Sequence, residues 1–195
     1  MGRCGPGAGG ATVHELATAR IAVNQKEGVM TVDSFKFLPG SIAAYYRNLP
    51  AQREEPIPFT PLAKPLDQCR FALVTTAGVY QKGKEPPFDT EREKREPVWG
   101  DPTFRRIRRD VRQEEIGACH LHTNNRDMLI DVNTVLPVHR FLELESEGVI
   151  GSLAPTSYSF MGYQPNTTEW RQRYGPEAAS LMKEEEVDAV LLTPS

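Results

Sequence analysis

Short apolar and β-branched runs recur along the chain, each bounded by glycine, proline or a cluster of polar residues. They occupy residues 71–75, 116–121, 149–153 and 187–192. Each run is shorter than a typical buried helix and has the length of a buried strand. The pattern therefore predicts four strands that contribute to one sheet.

A helical period separates the later runs. Apolar side chains at positions 138, 141 and 142 follow helical spacing, with Glu145 one turn further on. Pro137 suits the first turn of this helix, and Gly148 suits the residue after its last turn. A second helix is predicted over residues 175–182, opened by Gly175 and Pro176. Strands that alternate with helices predict an α/β fold, a three-layer arrangement with a mostly parallel sheet and flanking helices.

The two ends of the chain differ from this regular middle. Residues 1–29 include the low-complexity stretch GRCGPGAGG, and we expect them to be disordered, or an extension upstream of a true start at Met30. Residues 30–195 are predicted to be the N-terminal part of a single α/β domain. The last strand ends where the sites of open α/β sheets ordinarily lie, so we expect the fold to be incomplete at its C-terminus.

A charge-dense stretch, residues 85–115, interrupts the alternation. Its arginines could bind phosphate or a carboxylate substrate, but they are interleaved with acids, which favours a solvated loop or an edge strand. The arginines concerned are Arg105, Arg106, Arg108, Arg109 and Arg112.

Composition narrows the possible functions. The net charge of -3 gives no basic field for nucleic acid, and no apolar stretch has the length of a membrane span. Three scattered cysteines without a CxxC pair argue against a disulfide scaffold and suit a reducing cytoplasm. We therefore expect a cytoplasmic protein that binds neither nucleic acid nor membranes.

The sequence CHLHTNNRD holds the densest group of reactive side chains. His120 and His122 alternate along the second predicted strand and would point to one face. They could form part of a metal site with Cys119 or Asp127, but a convincing third ligand is missing, so no metal is expected. His120 as an acid, a base or a hydrogen-bond donor to substrate is the better interpretation. The stretch TSYSFMGY, which comes just after the third predicted strand, could line a pocket or be a packed loop.

Several stretches together resemble a known family. VDSFKFLPGS, RFALVTTAGVY, DPTFRRIRRD, DVNTVLPVHRFLELESEGVIGSLAPTSYSFMGY and EEEVDAVLLTPS are similar to the selenoprotein B subunits of glycine, sarcosine, betaine and D-proline reductases. The likeness is greatest to the D-proline reductase branch. It runs from about Met30 to Ser195, and the block from Asp131 to Tyr163 is its most specific part.

The resemblance implies a chemistry. In that family selenocysteine or cysteine directly follows the LLTPS-like strand end, so this chain would be truncated just before its nucleophile, at an in-frame UGA codon. The family reaction is reductive cleavage of a C–N bond, with a dithiol as electron donor. The substrate is an amino acid or a betaine, and a partner subunit carries a pyruvoyl group. The chain itself would bind no cofactor, would form an oligomer and would be inactive alone.

The resemblance also implies an active-site wall at the carboxyl edge of the sheet. Its members are Thr75, Thr76, Gly78, His120, Thr193 and Ser195. Two alternatives stay open from the sequence: a non-catalytic α/β module that binds a partner protein, and a family reductase that acts on a different substrate.

Overall fold

A computed structural model describes residues 34–48 and 60–195 of the chain. These residues belong to two units that divide after Pro58. The predictions for residues 1–29 lie outside the described residues, and the single domain over residues 30–195 stays a prediction. The first unit contributes a 3-10 turn, Ser34–Phe37, and helix α1, Gly40–Asn48. None of the helices in the described ranges is both long and apolar enough to cross a membrane.

The second unit contains strands, helices and short single turns. The strands are β1 Arg70–Thr75, β2 Val79–Gln81, β3 Phe104–Arg108, β4 Ile116–Ala118, β5 Ser152–Leu153, β6 Thr156–Phe160 and β7 Ala189–Thr193. The helices are α2 Thr90–Arg95, α3 Arg126–Ile130, α4 Val138–Ser146 and α5 Gly175–Glu184. The 3-10 turns are Leu66–Gln68, Gln113–Glu115 and Val132–Thr134, and a π-helical turn, Trp170–Tyr174, leads into α5.

Strand β1 is the centre of the main sheet. Strand β7 pairs with it in parallel from Phe71 to Thr75. Strands β5 and β6 both pair with the other edge of β1, also in parallel. Strand β5 pairs with the start of β1 and β6 with its end. Strand β3 pairs with β6 in the antiparallel direction. The predicted α/β fold with a mostly parallel sheet is confirmed.

The three-layer arrangement is confirmed by two apolar clusters. Leu73 belongs to a cluster with Val138 of α4, whereas its neighbour Ala72 belongs to a cluster with Ala178 and Met182 of α5. Because successive residues of a strand point to opposite faces, the two helices cover opposite faces of the sheet. Burying these apolar faces is the main stabilising contribution to the fold.

The predicted end of the first long helix is confirmed. Helix α4 ends at Ser146, and Gly148 has a φ of 70° and donates its backbone N–H to the carbonyl oxygen of Glu145. A residue with a side chain would be strained at this φ, which explains the glycine.

The second predicted strand begins at residue 116 as expected, but it is wrong in its length and in the sheet to which it was assigned. Strand β4 ends at Ala118 and pairs with β2 in a separate antiparallel sheet. Beyond it the backbone turns, because the His122 N–H is taken by the ring of His120 and the His120 carbonyl by the side chain of Asn125. His120 and His122 therefore follow the strand and do not alternate along it.

Strand β6 was missed, because its hydroxyl-rich sequence TSYSF predicted a loop. All five residues are buried, and the strand lies between β1 and β3. Tyr158 and Phe160 fill one apolar cluster while the backbone pairs with both neighbouring strands. The pairing satisfies the backbone groups, and a sequence pattern cannot report such long-range pairing.

The charged stretch does contain an edge strand, as predicted, since β3 pairs with β6 alone among the described strands. The expectation that its arginines are solvated is wrong for Arg105, whose side chain is 8% exposed and contacts Asp101 at 3.3 Å. Arg109 binds Glu145 and the Leu153 carbonyl oxygen. The side chains of these two arginines therefore make contacts within the fold and are not available to a substrate.

Candidate active site

The carboxyl ends of β1, β6 and β7 lie side by side, since these strands are parallel in the same sheet. In open α/β sheets this edge is where ligands bind. Thr75 ends β1, Thr193 ends β7, and Ser195 follows two residues later. The sheet therefore gathers the predicted threonines and Ser195 at one place.

Thr76 fixes the backbone at Ser195. Its Oγ1 accepts the Ser195 N–H at 2.8 Å and donates to the Ser195 carbonyl oxygen at 3.2 Å. One hydroxyl thus holds both backbone groups of a residue that is distant in sequence.

Thr75 and Thr193 reinforce the same edge. The buried Thr75 hydroxyl donates to the Thr193 carbonyl oxygen at 3.1 Å and accepts the Ala77 N–H at 3.2 Å. The Thr193 hydroxyl lies 2.6 Å from the Val135 carbonyl oxygen. These two threonines use their hydroxyls to join strands and turns, so they support the site structurally.

Gly78 forms the turn that brings His120 to the edge. Its φ is 65°, in the region that favours glycine. Its N–H donates to the Phe160 carbonyl oxygen, and its carbonyl oxygen accepts the Cys119 N–H. An added Cβ would lie 3.4 Å from the His120 backbone nitrogen. Gly78 is therefore a structural member of the site.

Gly162 is the residue that the sequence interpretation missed at the centre of the site. A Cβ placed on it would lie 2.7 Å from the Ser195 carbonyl oxygen, 3.0 Å from the Thr76 carbonyl oxygen and 3.2 Å from Nε2 of His120. Its only sequence signal is the glycine in FMGY, just after the unrecognised strand β6. The three predicted residues Thr76, His120 and Ser195 thus converge on one glycine.

His120 is 4% exposed, and burial, with a smaller contribution from His122, lowers its pKa below the ordinary value of 6.5. Its Nδ1 accepts the backbone N–H of His122 at 3.1 Å. An acceptor nitrogen carries no proton, so the neutral ring has its proton on Nε2. That nitrogen faces Gly162 and has no hydrogen-bond partner among the described residues.

Glu93 supports the histidines from helix α2. Its side chain is 2% exposed, and Oε1 lies 3.0 Å from Nε2 of His122. Burial raises the pKa of Glu93, and the nearby His122 opposes that shift. The His122 ring also packs on Tyr163 with centroids 4.2 Å apart. No sequence signal separates Glu93 from its charged neighbours, because only the packing of α2 buries it.

Two buried polar atoms near the histidines have no hydrogen-bond partner in the described parts of the chain. They are Oε2 of Glu93 and Oδ1 of Asn125, whose amide group donates to the His120 carbonyl oxygen.

No group of three or more His, Cys, Asp or Glu side chains in the described parts of the chain could hold a metal ion. Cys119 is half-buried, and burial raises the pKa of its thiol, which disfavours a reactive thiolate.

A cleft of about 400 Å³ lies at the opposite, amino edge of the sheet. Lys64, Arg70, Glu186 and Asp188 line it, and the ion pairs Lys64–Asp188 and Arg70–Glu186 join them. These charges neutralise one another, so the cleft offers no uncompensated charge for a small anion.

Replacing Thr76 with valine is expected to loosen the backbone at Ser195. Valine keeps the shape of threonine but loses both hydrogen bonds to Ser195. Two bonds of about 1 kcal/mol each correspond to roughly tenfold to thirtyfold faster amide exchange at Ser195. Hydrogen exchange followed by NMR measures this effect. Thr76→Ser is the matched control, and equal exchange in the valine and serine variants would contradict the assignment.

The lowered pKa of His120 predicts a dependence of stability on pH. The unfolded chain takes up a proton near the ordinary value of 6.5, whereas the folded chain does so only at lower pH. The free energy of unfolding should therefore fall as the pH drops from 6.5 through the folded pKa. Denaturant titrations of the wild type and His120→Gln test this, and the variant should lose part of the slope. His139→Gln serves as control, and an identical slope in His120→Gln would count against the prediction.

The sheet and its edge define a class: an α/β domain whose candidate site lies at the carboxyl ends of its parallel strands, beside a buried neutral histidine. The chain belongs to the glycine/sarcosine/betaine reductase selenoprotein B family, whose model matches residues 41–195. This confirms the family resemblance seen in the sequence.

Curated relatives agree with the family. The chain is 37% identical to the D-proline reductase subunit gamma of Acetoanaerobium sticklandii over 135 residues, which cover 69% of this chain and 52% of that protein. It is 30% identical to the glycine reductase complex component B subunit gamma of Symbiobacterium thermophilum, over 76% of this chain and 34% of that protein. No solved structure matches. The chain thus spans about half the length of the first relative and a third of the second.

Proposed function

We propose that the chain is the amino-terminal part of a reductase subunit that reductively cleaves a C–N bond, with a dithiol as electron donor. The observation that carries the proposal is the convergence of Thr76, His120 and Ser195 on Gly162. The 37% identity to a D-proline reductase subunit supports the same function.

The proposed nucleophile is a selenocysteine or cysteine directly after Ser195. Such a residue supplies a selenolate or thiolate that attacks the activated carbon of the substrate. The glycine at position 162 fits this role, because its backbone approaches Ser195 so closely that an added Cβ would lie 2.7 Å from the Ser195 carbonyl oxygen. Thr76 holds the Ser195 backbone and so sets where the next residue begins. No side chain among the described residues replaces that nucleophile, since Cys69 is buried and Cys119 is disfavoured as a thiolate.

The proposal includes a partner subunit that carries a pyruvoyl group, and assembly into an oligomer. The named relatives are subunits of a reductase and of a reductase complex, which supports a partner in general. No residue of this chain is assigned to the pyruvoyl group. The proposed location is the cytoplasm, where the scattered cysteines would stay reduced.

The proposed substrate is D-proline, with glycine and betaine-type amines as the alternatives within the family. The identity is 37% to the D-proline reductase subunit and 30% to the glycine reductase subunit. This difference favours D-proline. A family reductase for another substrate stays an alternative.

The test begins with the nucleotide sequence after the Ser195 codon. An in-frame UGA or a cysteine codon is expected there, followed by further coding sequence. The full-length subunit, purified with its partner, is then assayed with D-proline, glycine and betaine in the presence of dithiothreitol. Dithiol-dependent loss of one of these substrates supports the proposal. Another codon at that position, or no turnover of any of the three, would reject it.

A partner-binding module is the second candidate, and strand β7 is the observation that favours it. Val190 is 43% exposed and Leu192 is 67% exposed, and β7 pairs only with β1 among the described strands. An apolar strand at an open edge is a surface on which another chain can pair. Pull-down of a stable partner by a protein without reductase activity would favour this alternative.

A further inference from the structure

Glu93 is a buried carboxyl group whose side chain bonds to a half-exposed histidine. The Glu93 side chain is 2% exposed, and its Oε1 lies 3.0 Å from Nε2 of His122, whose own side chain is 52% exposed. The second oxygen, Oε2, has no hydrogen-bond partner in the described parts of the chain. Burying a carboxyl group in this way costs free energy, and costly titratable groups are concentrated at functional sites.

The ring of His122 is held in one orientation. Besides the contact of Nε2 with Glu93, the ring packs on Tyr163 with centroids 4.2 Å apart. The His122 backbone N–H donates to Nδ1 of His120 at 3.1 Å, and the two imidazole rings lie 6.1 Å apart. Tyr163 directly follows Gly162 in the chain. His122 therefore lies at the rim of the candidate active site, where solvent reaches it.

The contact with Glu93 determines which ring nitrogen of His122 can accept a proton. A carboxylate accepts hydrogen bonds, so the ring presents Nε2–H to Glu93 and the neutral ring has its lone pair on Nδ1. Nδ1 has no hydrogen-bond partner among the residues that the structure describes. A histidine that a carboxylate orients through one nitrogen, with the other nitrogen open, has the arrangement of a general base.

The other titratable groups near Glu93 do not replace His122 as its partner. They are Asp101 and Cys119. Asp101 is paired with Arg105 at 3.3 Å, and the Cys119 sulfur accepts the backbone N–H of Phe88. When the His122 ring takes up a proton, the Glu93 carboxylate is thus its counter-ion.

We propose that His122 is the general base that takes the proton from a thiol of the dithiol reductant, and that Glu93 positions it. The inference rests on the proposed function, which supplies the dithiol. In this step the S–H bond breaks, its electron pair stays on sulfur, and the proton forms a bond to Nδ1 of His122. The products are a thiolate and an imidazolium ion, and nothing is oxidised or reduced.

Exposure favours His122 over its neighbour for this role. A thiol with an ordinary pKa of about 8.5 is mostly protonated at neutral pH, so a base is needed to form the reactive thiolate. A reductant that arrives from solution can reach the half-exposed ring of His122. His120 is 4% exposed, and its Nδ1 is already bonded to the His122 N–H.

The first test uses the full-length subunit with its partner and varies the concentration of dithiothreitol. His122→Ala should lower kcat/KM for dithiothreitol by roughly 100-fold, the usual contribution of a general base. Added imidazole should restore part of this rate, because a free base can replace the lost ring, whereas a purely structural defect would not respond. His139→Gln is the control, since the His139 ring bonds the Val111 carbonyl oxygen, and it should keep the wild-type rate with or without imidazole.

The second test needs no turnover. Two-bond ¹H–¹⁵N NMR spectra of the full-length subunit, recorded where the His122 ring is neutral, should show its proton on Nε2. Glu93→Gln should populate the form with the proton on Nδ1, because the glutamine amide can donate to Nε2. Glu91→Gln is the matched control, since Glu91 is exposed on the same helix, and it should leave the His122 spectrum unchanged.

Three results would each overturn the inference. They are a proton on Nδ1 of His122 in the wild type, wild-type kcat/KM in a folded His122→Ala variant, and a loss of rate that imidazole does not restore. If the wild-type subunit still turns over its substrate with the dithiol, the proposed function stands and only the assignment of His122 falls. If the wild type shows no dithiol-dependent turnover, the proposed function falls and the inference falls with it.

Discussion

Replacing Arg105 with methionine is expected to lower the free energy of unfolding by about 3–5 kcal/mol. The guanidinium group donates to the carbonyl oxygens of Pro86 and Pro87 and to Asp101. It also lies 4.1 Å from the ring centroid of Phe88. Methionine fills a similar volume but leaves the Asp101 carboxylate buried beside no cation, and an uncompensated buried charge is costly. Urea denaturation followed by circular dichroism measures the loss.

Arg106 provides the matched control for that prediction. It is the next residue of the same strand, its side chain is exposed, and methionine there should change the stability by no more than about 0.5 kcal/mol. The double variant Asp101→Asn with Arg105→Met should recover part of the loss, since no buried charge is left unpaired. Equal stability of the two single methionine variants would contradict the structural role of Arg105.

Replacing Gly162 with alanine is expected to damage both the site and the fold. The added Cβ would lie 2.7 Å from the Ser195 carbonyl oxygen, closer than real Cβ atoms approach other atoms, and 3.0 Å from that of Thr76, which is also a tight contact. Backbone atoms cannot turn aside as a flexible side chain can, so the strand ends must separate. We expect about 1–3 kcal/mol of destabilisation and, in the full-length subunit, roughly a 100-fold loss of reductase activity.

The control for Gly162→Ala is Gly40→Ala. A Cβ at Gly40, in the first turn of α1, would meet nothing within 4 Å. This variant should keep both stability and activity. Thermal unfolding measures the stability, and a substrate-turnover assay measures the activity. A Gly162→Ala protein with wild-type melting temperature and activity would show that the close approach of backbone at Gly162 is not needed for the site.

The α/β architecture follows from local features of the sequence, and the family from the resemblance of several of its stretches. Helix α4, which ends at Ser146 before Gly148, and the strands β1 and β7 were predicted within a few residues, because hydrophobic period and turn residues act over short distances. Thr76 and Ser195 were assigned to one edge, because parallel strands place their carboxyl ends together. His120 was assigned to the same edge, but it follows β4 of the separate antiparallel sheet and reaches the edge beside the Gly78 turn. In the structure Thr76 bonds to the Ser195 backbone, and both residues and His120 lie close to Gly162.

Three features were decided by tertiary structure alone. TSYSF became a buried strand because β1 and β3 pair with both of its edges, although its hydroxyls favour a loop. Glu93 became buried because α2 packs beside His122, although its neighbours in the sequence are solvated charges. Gly162 became the centre of the site because three distant segments converge on it. A sequence read by itself reports local period and charge, whereas burial and close approach depend on segments brought together by folding.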